Sequence, residues 1–405
     1  MKSEWKEAAL GEIVELVIDH RGKTPKKLGG DWSTSGYRAL SAKNIKTGNI
    51  VQPETIRFLD EELYHKWMRE EIQRGDILVT SEAPFGQIYY WDSDEKIVLS
   101  QRLFGLRIKK SFLARYIYYY MITHEFQKEM EGRATGTTVI GLRQPELLKC
   151  SIRYPDIQTQ MKIAKILSLL DDKIALNQQI NNKLEQQAQA IYIYLQKTAN
   201  EKVSLSHFIN IKHGYAFKGE YISSEDNGKV LVTPGNFKIG GGFKEERCKF
   251  FSGEIPEDYI LKPGSLIVTM TDLSKQADTL GYGAFVPLYS DRIYLHNQRI
   301  GLITQTENTL PLEYIYWFLR SYEYHSFIVG SASGSTVKHT SPSRILEQAI
   351  PIPEKKKMEY LFPILKKINE QIDLNNYQNC KLKDIRDILL PRLMSGKIDI
   401  SDIYI

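Results

Sequence analysis

The sequence predicts an α+β protein in which two mainly-β globular domains alternate with two long α-helices. The first observation is a heptad-spaced apolar pattern that occurs twice, with an offset of 198 residues. The second is that short strand-like segments, separated by turn residues, fill the stretches outside the two copies. We therefore expect a pseudo-two-fold internal repeat with the boundaries 1–155, 156–198, 199–353 and 354–405.

Both copies of the heptad pattern place apolar residues at alternating steps of three and four, which is typical of a helix that packs against another long helix. The first copy contains Ile163, Leu167, Leu170, Ile174, Leu184, Ala188, Ile191 and Leu195, and the second contains Leu361, Leu365, Ile368, Ile372, Leu382, Leu389 and Leu393. A helix of this length measures roughly 50 Å, at about 1.5 Å per residue. Pro391 in the second copy is expected to stop or kink its helix.

Asparagines occupy the two central positions of each pattern. We expect an antiparallel coiled coil in which Asn177 faces Asn379 and Asn181 faces Asn375. A buried asparagine layer costs stability but fixes the register, because a slipped pairing leaves amides without partners. A parallel pairing would also match asparagine with asparagine, so the sequence leaves both directions open.

Further apolar residues lie off the main seam of each helix, namely Ile166, Leu169, Ile180, Ile364 and Ile385. An exposed apolar surface of this size predicts contact with partner helices. A wider interface within the chain explains these residues equally well.

The globular domains read as short strands plus one aromatic helix each. The clearest strands are Asp76–Thr80, Gln87–Trp91, Ile97–Leu99, Leu266–Thr269 and Ile293–Leu295. Helices are predicted over Phe112–Glu131 and Leu312–Val329, where the aromatic spacing favours core packing over base stacking. Thr135–Val139 and Ser333–Val337 repeat one short motif in the two domains.

Composition excludes several classes of protein. No apolar run approaches the ~18 residues of a membrane span, and the charged N-terminus lacks a signal-peptide core. The 3 cysteines form no CxxC pair, which fits a reducing cytoplasm. The net charge of +5 permits nucleic-acid binding without arguing for it. A glycine-rich phosphate loop, a metal-spaced histidine pair and a methyltransferase signature are absent from the sequence, so we expect a non-catalytic chain without a cofactor or a metal.

The layout resembles the specificity (S) subunit of a type I restriction–modification system. The resemblance covers the whole chain and depends on the repeat together with the segments Trp5–Ile13, Gly22–Pro25, Gly75–Val79, Pro155–Leu167 and Leu390–Ile398. It implies that each globular domain is a target recognition domain that reads one half of a bipartite DNA sequence. It also implies that the helices set the spacer and dock two modification (methyltransferase) subunits, which methylate adenine with S-adenosylmethionine, and that two restriction subunits add cleavage dependent on ATP and Mg.

Candidate DNA-binding residues are polar side chains at strand ends and in polar loops, where phosphate and base contacts are expected. They are Lys43, Asn44, Ser81, Gln101 and Arg102 in the first domain, and Asn236, Lys238, Thr269, Gln298, Arg299 and Lys338 in the second. Each of them could equally be a solvated surface residue. The glutamine–arginine pairs recur in both domains, which favours DNA-backbone contact over base reading.

Two other functions remain open from the sequence. The chain could be a coiled-coil scaffold that pairs two protein- or RNA-binding domains, with no restriction role, or an enzyme with an unrecognised site. A co-purifying chain with adenine-methyltransferase motifs would favour the specificity subunit over the scaffold. Methylation or cleavage by the isolated chain would favour the enzyme.

Overall fold

The computed structural model describes residues 4–136, 139–274, 276–306 and 310–400, so Thr137 and Thr138 of the repeated motif lie outside the described residues. The chain forms two compact units. The first comprises Met1–Lys173 and Leu382–Ile405, and the second comprises Ile174–Lys381. Each unit therefore holds a globular domain together with a segment of each long helix.

The first unit contains the following strands and helices. They are β1 (Lys6–Ala9), β2 (Val14–Asp19), β3 (Tyr37–Leu40), β4 (Ile45–Lys46), β5 (Asn49–Ile50), β6 (Arg57–Leu59), β7 (Ile77–Thr80), β8 (Ile88–Tyr90), β9 (Ile97–Leu99), β10 (Leu103–Ile108) and β11 (Ser151–Tyr154). The helices that begin in this unit are α1 (Leu10–Ile13), α2 (Glu61–Trp67), α3 (Ala114–Met121), α4 (His124–Arg133), α5 (Gln144–Leu148) and α6 (Ile157–Lys197).

A four-stranded antiparallel sheet with the order β2-β10-β7-β8 forms the centre of the first unit. Its middle strands are buried on both faces. Ile77 and Val79 pack with the aromatic helices α3 and α4, whereas Leu78 packs with the core beneath the sheet β6-β3-β9. This two-sided burial explains why β7 is continuously apolar instead of alternating.

The second unit contains the following strands and helices. The strands are β12 (Glu201–Ser204), β13 (Ile209–His213), β14 (Ile222–Ser223), β15 (Lys229–Val232), β16 (Lys249–Phe251), β17 (Ile260–Leu261), β18 (Leu266–Thr269), β19 (Thr271–Asp272), β20 (Gly283–Phe285), β21 (Ile293–His296), β22 (Ile300–Gln305), β23 (Lys338–His339) and β24 (Ala349–Ile352). The helices are α7 (Leu312–Phe318), α8 (Tyr322–Gly330), α9 (Pro342–Leu346) and α10 (Lys355–Met394).

The strand order of the second unit repeats that of the first. The sheet β13-β22-β18-β20 corresponds to β2-β10-β7-β8, and the pair β12-β24 corresponds to β1-β11. A parallel pair recurs in a further sheet of each unit, as β3 with β9 in the three-stranded sheet β6-β3-β9 and as β15 with β21 in the five-stranded sheet β14-β16-β15-β21-β17. The mixed fold with two long helices that pack together is confirmed, whereas the offset of 198 residues stays a prediction.

The prediction of one aromatic helix per domain is wrong in a specific way. Each predicted segment forms two helices, α3 with α4 and α7 with α8. The break follows from capping: the Thr123 hydroxyl accepts a hydrogen bond from the Phe126 amide, and Ser321 does the same for Tyr324. Most of the aromatic residues are buried as predicted, but Tyr322 and Phe327 are exposed and Phe112 is half-buried.

Pro391 does not stop the second long helix. α10 continues to Met394, and the Ser395 amide donates to the Pro391 carbonyl at 3.1 Å. The cost of the proline falls in the last turn of the helix, where few backbone bonds remain to be lost. Burial of Leu390 and Leu393 in the core of the first unit offsets this cost.

The segments of α6 and α10 in the second unit run antiparallel. The side-chain amide nitrogen of Asn177 donates to Asn379 Oδ1 at 2.9 Å, and that of Asn375 donates to Asn181 Oδ1 at 2.7 Å. All four side chains are buried. Because the residue numbers run in opposite directions across the layer, the pairing matches the antiparallel arrangement and not the parallel one.

The two helix segments of the first unit are joined by charged groups. Arg386 Nη1 lies 2.9 Å from Asp171 Oδ1, and the Tyr119 hydroxyl donates to Asp171 Oδ2 at 2.8 Å. The single carboxylate of Asp171 thereby contacts both α10 and the aromatic helix α3. Burial is the main reason that the pKa of Tyr119 is raised, and the Asp171 charge and hydrogen bond raise it further.

We expect Asn379→Leu to lower the free energy of unfolding by about 1–3 kcal/mol, because it leaves the buried Asn177 amide without its partner. In the double variant Asn177→Leu/Asn379→Leu, apolar side chains meet and much of this loss is recovered. Chemical unfolding of both single variants and the double variant gives the coupling free energy. A double variant whose destabilisation equals the sum of the single values would contradict the pairing.

Candidate nucleic-acid interface

A polar cleft of about 560 Å³ opens at one end of the central sheet of the first unit. It is lined by Arg21, Gly22, Ser81, Glu82, Gln101, Arg102, Thr135, Val139, Gly141, Leu142 and Arg143. Three of the predicted DNA-binding residues, Ser81, Gln101 and Arg102, thus lie together. The cleft also contains residues that the sequence analysis missed, above all Arg21 and Arg143.

Backbone hydrogen bonds hold three segments around this cleft. The Ser81 amide donates to the Arg102 carbonyl at 2.9 Å, and the Leu142 amide donates to the Ser81 carbonyl at 3.0 Å. Ser81 directly follows β7 and is buried, so the end of a core strand fixes the floor of the cleft. Arg102 has a φ of 67°, a left-handed conformation that is uncommon outside glycine and that recurs at functional sites.

The three arginines of the cleft differ in how far their charge is balanced. Arg21 contacts both Asp19 oxygens, at 2.9 and 2.7 Å, and Arg102 Nε lies 2.8 Å from Glu82 Oε1. Arg143 is exposed, and its guanidinium makes no hydrogen bond or ion pair with any other described residue. Arg143 therefore carries the least compensated positive charge of the three.

Asp19 orients Arg21 and stays ionised. Burial alone would raise the pKa of Asp19, but the hydrogen bonds and the positive charge of Arg21 outweigh it and hold that pKa below its ordinary value. The guanidinium of Arg21 also stacks over the Phe104 ring, 4.1 Å from its centroid. These contacts hold Arg21 at the rim of the cleft.

The predicted loop residues Lys43 and Asn44 differ in accessibility. Lys43 is exposed, whereas Asn44 is buried. Asn44 Oδ1 accepts from the Ser41 amide and hydroxyl at 3.1 and 2.8 Å, and its amide nitrogen donates to Thr55 Oγ1 at 2.9 Å. Its polar atoms are thus engaged inside the fold, where they close the loop.

Asn236 repeats this arrangement in the second unit. Its Oδ1 accepts from the Thr233 amide and hydroxyl at 2.9 and 3.2 Å, and its amide nitrogen donates to the Lys244 carbonyl at 3.2 Å. It is buried like Asn44. Lys238 is exposed but lies apart from the strand-end residues, in a cleft that also contains Tyr316 and Arg320.

The remaining candidates of the second unit cluster at the end of β18. Thr269 is fully buried and its hydroxyl donates to the Thr271 carbonyl at 2.9 Å, so its side chain is engaged in the fold. Gln298 and Arg299 are exposed, and the Met270 amide donates to the Arg299 carbonyl at 3.0 Å. Lys338 is half-buried in β23, where it pairs with Asp272 of β19.

The predicted partner-binding residues fall into two groups. Ile166 and Ile364 are half-buried against the cores of their units. Leu169, Ile180 and Ile385 are exposed, and the long helices also expose Met161, Leu176, Ile193, Tyr194, Tyr360 and Ile388. The sequence analysis did not single out the latter residues, although Leu176 lies seven residues after Leu169 and four before Ile180.

Two features are absent from the described part of the chain. No group of three or more His, Cys, Asp or Glu residues in residues 4–136, 139–274, 276–306 and 310–400 is arranged to hold a metal ion. Over the same residues, no helix combines the length and the apolar character needed to cross a membrane.

Comparison with known proteins identifies the class of domain. The family described as "Type I restriction modification DNA specificity domain" matches residues 2–186, somewhat less than half of the chain. All the residues that line the cleft lie within this match. Residues 2–186 are therefore similar to a type I DNA specificity domain.

Individual relatives extend the likeness over the whole chain. The HindI specificity subunit of Haemophilus influenzae is 22% identical, with 98% of this chain and 100% of the relative covered. The MjaIX specificity subunit of Methanocaldococcus jannaschii is 23% identical, with 82% and 79% covered. The MjaVIII specificity subunit of the same organism is 26% identical, but the match spans only 43% of that relative and 45% of this chain.

A crystal structure of the type I restriction–modification S subunit from M. genitalium shares the fold, with a TM-score of 0.61, 15% identity and 96% of both chains covered. The predicted resemblance to type I specificity subunits is confirmed by the family match and the named relatives. The relatives named here are all specificity subunits of type I restriction enzymes.

We expect Asn44→Ala to lower the free energy of unfolding by roughly 2–3 kcal/mol, because it removes several buried hydrogen bonds and leaves the Ser41 amide without an acceptor. Lys43→Ala, the adjacent exposed position, should change it by less than about 0.5 kcal/mol. Chemical unfolding of both variants checks this. A stable Asn44→Ala variant that nevertheless loses nucleic-acid binding would assign Asn44 to the interface instead.

Proposed function

We propose that this chain is the DNA sequence-specificity subunit of a type I restriction–modification complex. Each globular domain is a target recognition domain that reads one half of a bipartite duplex target. The observation that carries the proposal is the arginine-lined cleft of the first unit, which lies inside the matched specificity domain. Its side chains combine phosphate-binding cations with hydrogen-bonding groups suited to base edges.

The cleft chemistry separates the two kinds of DNA contact. Arg143 is exposed and the least compensated of the three arginines, and it suits a phosphate, where a point charge is enough. Arg102 is oriented by Glu82 and held by a constrained backbone, so we assign it a contact that needs a fixed direction. Gln101 is exposed beside Arg102 and adds both a donor and an acceptor.

The second unit supports a second reader of different specificity. Gln298 and Arg299 occupy the corresponding strand end, and the backbone bond from Met270 to Arg299 parallels the bond from Ser81 to Arg102. The carboxylate of Glu82 has no counterpart, because Thr271 occupies the equivalent position opposite the hairpin. Two similar frames with different side chains suit a target whose halves differ in sequence.

We assign the long helices two roles: they set the spacer between the half-sites and dock two methyltransferase (M) subunits. The apolar side chains that they expose support docking, since water-exposed apolar surface of this kind favours a protein partner. The M subunits supply S-adenosylmethionine for adenine methylation. Two restriction (R) subunits supply ATP- and Mg-dependent cleavage, and the assembly acts on DNA in the cytoplasm.

Deletion of the gene tests the proposal directly. Methylome sequencing of the strain with and without the gene should show that one bipartite adenine-methylation motif disappears. Reintroducing the wild-type gene should restore the motif. An unchanged methylome in a strain whose methyltransferase subunit is expressed would refute the assignment.

For Arg143→Ala we expect weaker binding to every duplex by a similar factor, since a lost phosphate contact carries no sequence information. The slope of log K against log salt concentration should fall in magnitude by about 0.9. Filter binding of the complex at several salt concentrations measures both quantities. Lys110→Ala, an exposed lysine outside the cleft, is the matched control, and an Arg143→Ala slope equal to that of the control would contradict the phosphate contact.

Leu169→Asp should weaken docking of the methyltransferase subunit by about tenfold or more, because an apolar side chain that is 48% exposed becomes a charge within the proposed interface. Gln158→Asp adds the same charge at an exposed polar position of α6 and should leave docking unchanged. Co-purification and titration calorimetry measure the effect. Equal docking by the two variants would place the interface elsewhere.

A further inference from the structure

The repeated motif forms equivalent hairpins in the two units. In the first, the Thr135 amide donates to the Gly141 carbonyl and the Gly141 amide donates back to the Thr135 carbonyl, both at 2.9 Å. In the second, Ser333 and His339 exchange the same two hydrogen bonds at 3.0 and 2.9 Å. The hydrogen-bonded residues are thus separated by five positions of the sequence in each hairpin, 136–140 in one unit and 334–338 in the other.

A glycine at the first loop position fixes the shape of both loops. Gly136 has a φ of 119° and Gly334 a φ of 91°. A Cβ atom on Gly136 would lie 2.1 Å from the Val139 carbonyl oxygen, and one on Gly334 would lie 2.0 Å from that of Val337. Only glycine fits such a close approach of backbone to backbone, so both loops require the same starting geometry.

Each hairpin also stands beside the same end of the central sheet. Gly141 forms a β-bridge with Glu82, whose carboxylate contacts Arg102. His339 pairs with Thr271, which directly follows the residue bonded to Arg299. Both loops are therefore presented next to the arginine that we place against DNA.

Inside the two loops, only one position changes its chemical class. The loop sequences are Gly-Thr-Thr-Val-Ile and Gly-Ser-Thr-Val-Lys, so the first four positions are identical or exchange threonine for serine. The fifth position is Ile140 in one unit and Lys338 in the other. A constant frame with one variable side chain is the arrangement expected of a residue that sets specificity.

Lys338 pairs with Asp272 through the backbone of β23, but the side chains of both fifth residues are available for a contact outside the fold. Ile140 is 53% exposed, next to Val139 at 51%, at the rim of a polar cleft. The Lys338 ammonium makes no hydrogen bond or ion pair with another residue of the described chain. An exposed apolar side chain such as that of Ile140 gains no favourable contact from a DNA phosphate. It can pack against the methyl group that thymine presents in the major groove.

We propose that the fifth hairpin residue is a base-reading position, with Ile140 against a thymine methyl group in one half-site and Lys338 donating to guanine O6 or N7 in the other. The proposal deepens the proposed function and rests on it. Arg143 supplies a phosphate contact, Arg102 supplies a directed contact, and the fifth hairpin residue adds one base contact for each domain.

The test introduces each of the two side chains at the position of the other. The complex is purified from its own strain, with this chain as the affinity-tagged subunit. Randomised duplexes selected by wild type, Ile140→Lys and Lys338→Ile are sequenced. Ile140→Lys should lower the preference for thymine over guanine by about tenfold at one position of one half-site. Lys338→Ile should lower the preference for guanine to a similar extent in the other half-site, and each variant should leave the opposite half-site unchanged.

Ser35→Lys is the control for added charge, because Ser35 is exposed in the first unit and does not line the cleft. It should retain the wild-type sequence preference. If Ile140→Lys lowers the melting temperature, Ile140→Thr replaces it, since threonine keeps the branched Cβ and should relax discrimination at the same position.

The outcomes separate the two proposals. A wild-type complex that selects no sequence refutes the specificity-subunit function itself. A wild-type complex that selects a bipartite target, with variants that select it unchanged, overturns the hairpin inference alone. Stable variants that lose all binding, or that lose the methyltransferase subunit instead of a base preference, also overturn it.

Discussion

The hydrogen bonds between buried asparagines constrain how the two long helices of this chain can pair. An apolar seam by itself tolerates sliding by a heptad, because one leucine packs much like another. The pairs of Asn177 with Asn379 and of Asn181 with Asn375 remove that freedom, since any other register in the second unit would bury amides without partners. Stability is traded for a single alignment, which is the property that a spacing element requires. In the first unit, Arg386 and Tyr119 converge on Asp171, so a charged contact takes the place of the amide layer.

Within each unit, the same sheet order produces the same strand end, and the side chains at that end differ. The central strands are buried on both faces, so nearly all of their side chains are committed to packing. The side chains that can differ between the two units are those just beyond the strands and those of the hairpin that bridges to them. Under the proposed function, this division allows one fold to carry two readers of unlike sequence. It also explains why buried polar residues such as Asn44 and Asn236, which recur in both units, belong to the frame and not to the reading surface.

The electrostatics of the cleft are local. The net charge of +5 is spread over 405 residues, and two of the three cleft arginines are balanced by carboxylates. Asp19 and Glu82 orient these guanidinium groups while they reduce the overall attraction for phosphate. A site of this design favours direction over bulk charge, as expected where a base contact must be distinguished from general binding.

The sequence by itself determined the alternation of globular domains with helices, the heptad seams and the position of the asparagines within them, because apolar periodicity and polar interruptions are local patterns. It also located strands such as Ile97–Leu99 and Leu266–Thr269 at their observed bounds. Only the tertiary structure decided that the helix segments run antiparallel, since the spacing of asparagines fits both directions. Only the tertiary structure brought Arg21, Arg102 and Arg143 to one cleft and buried Asn44, because these outcomes depend on strand pairing between residues far apart in the chain.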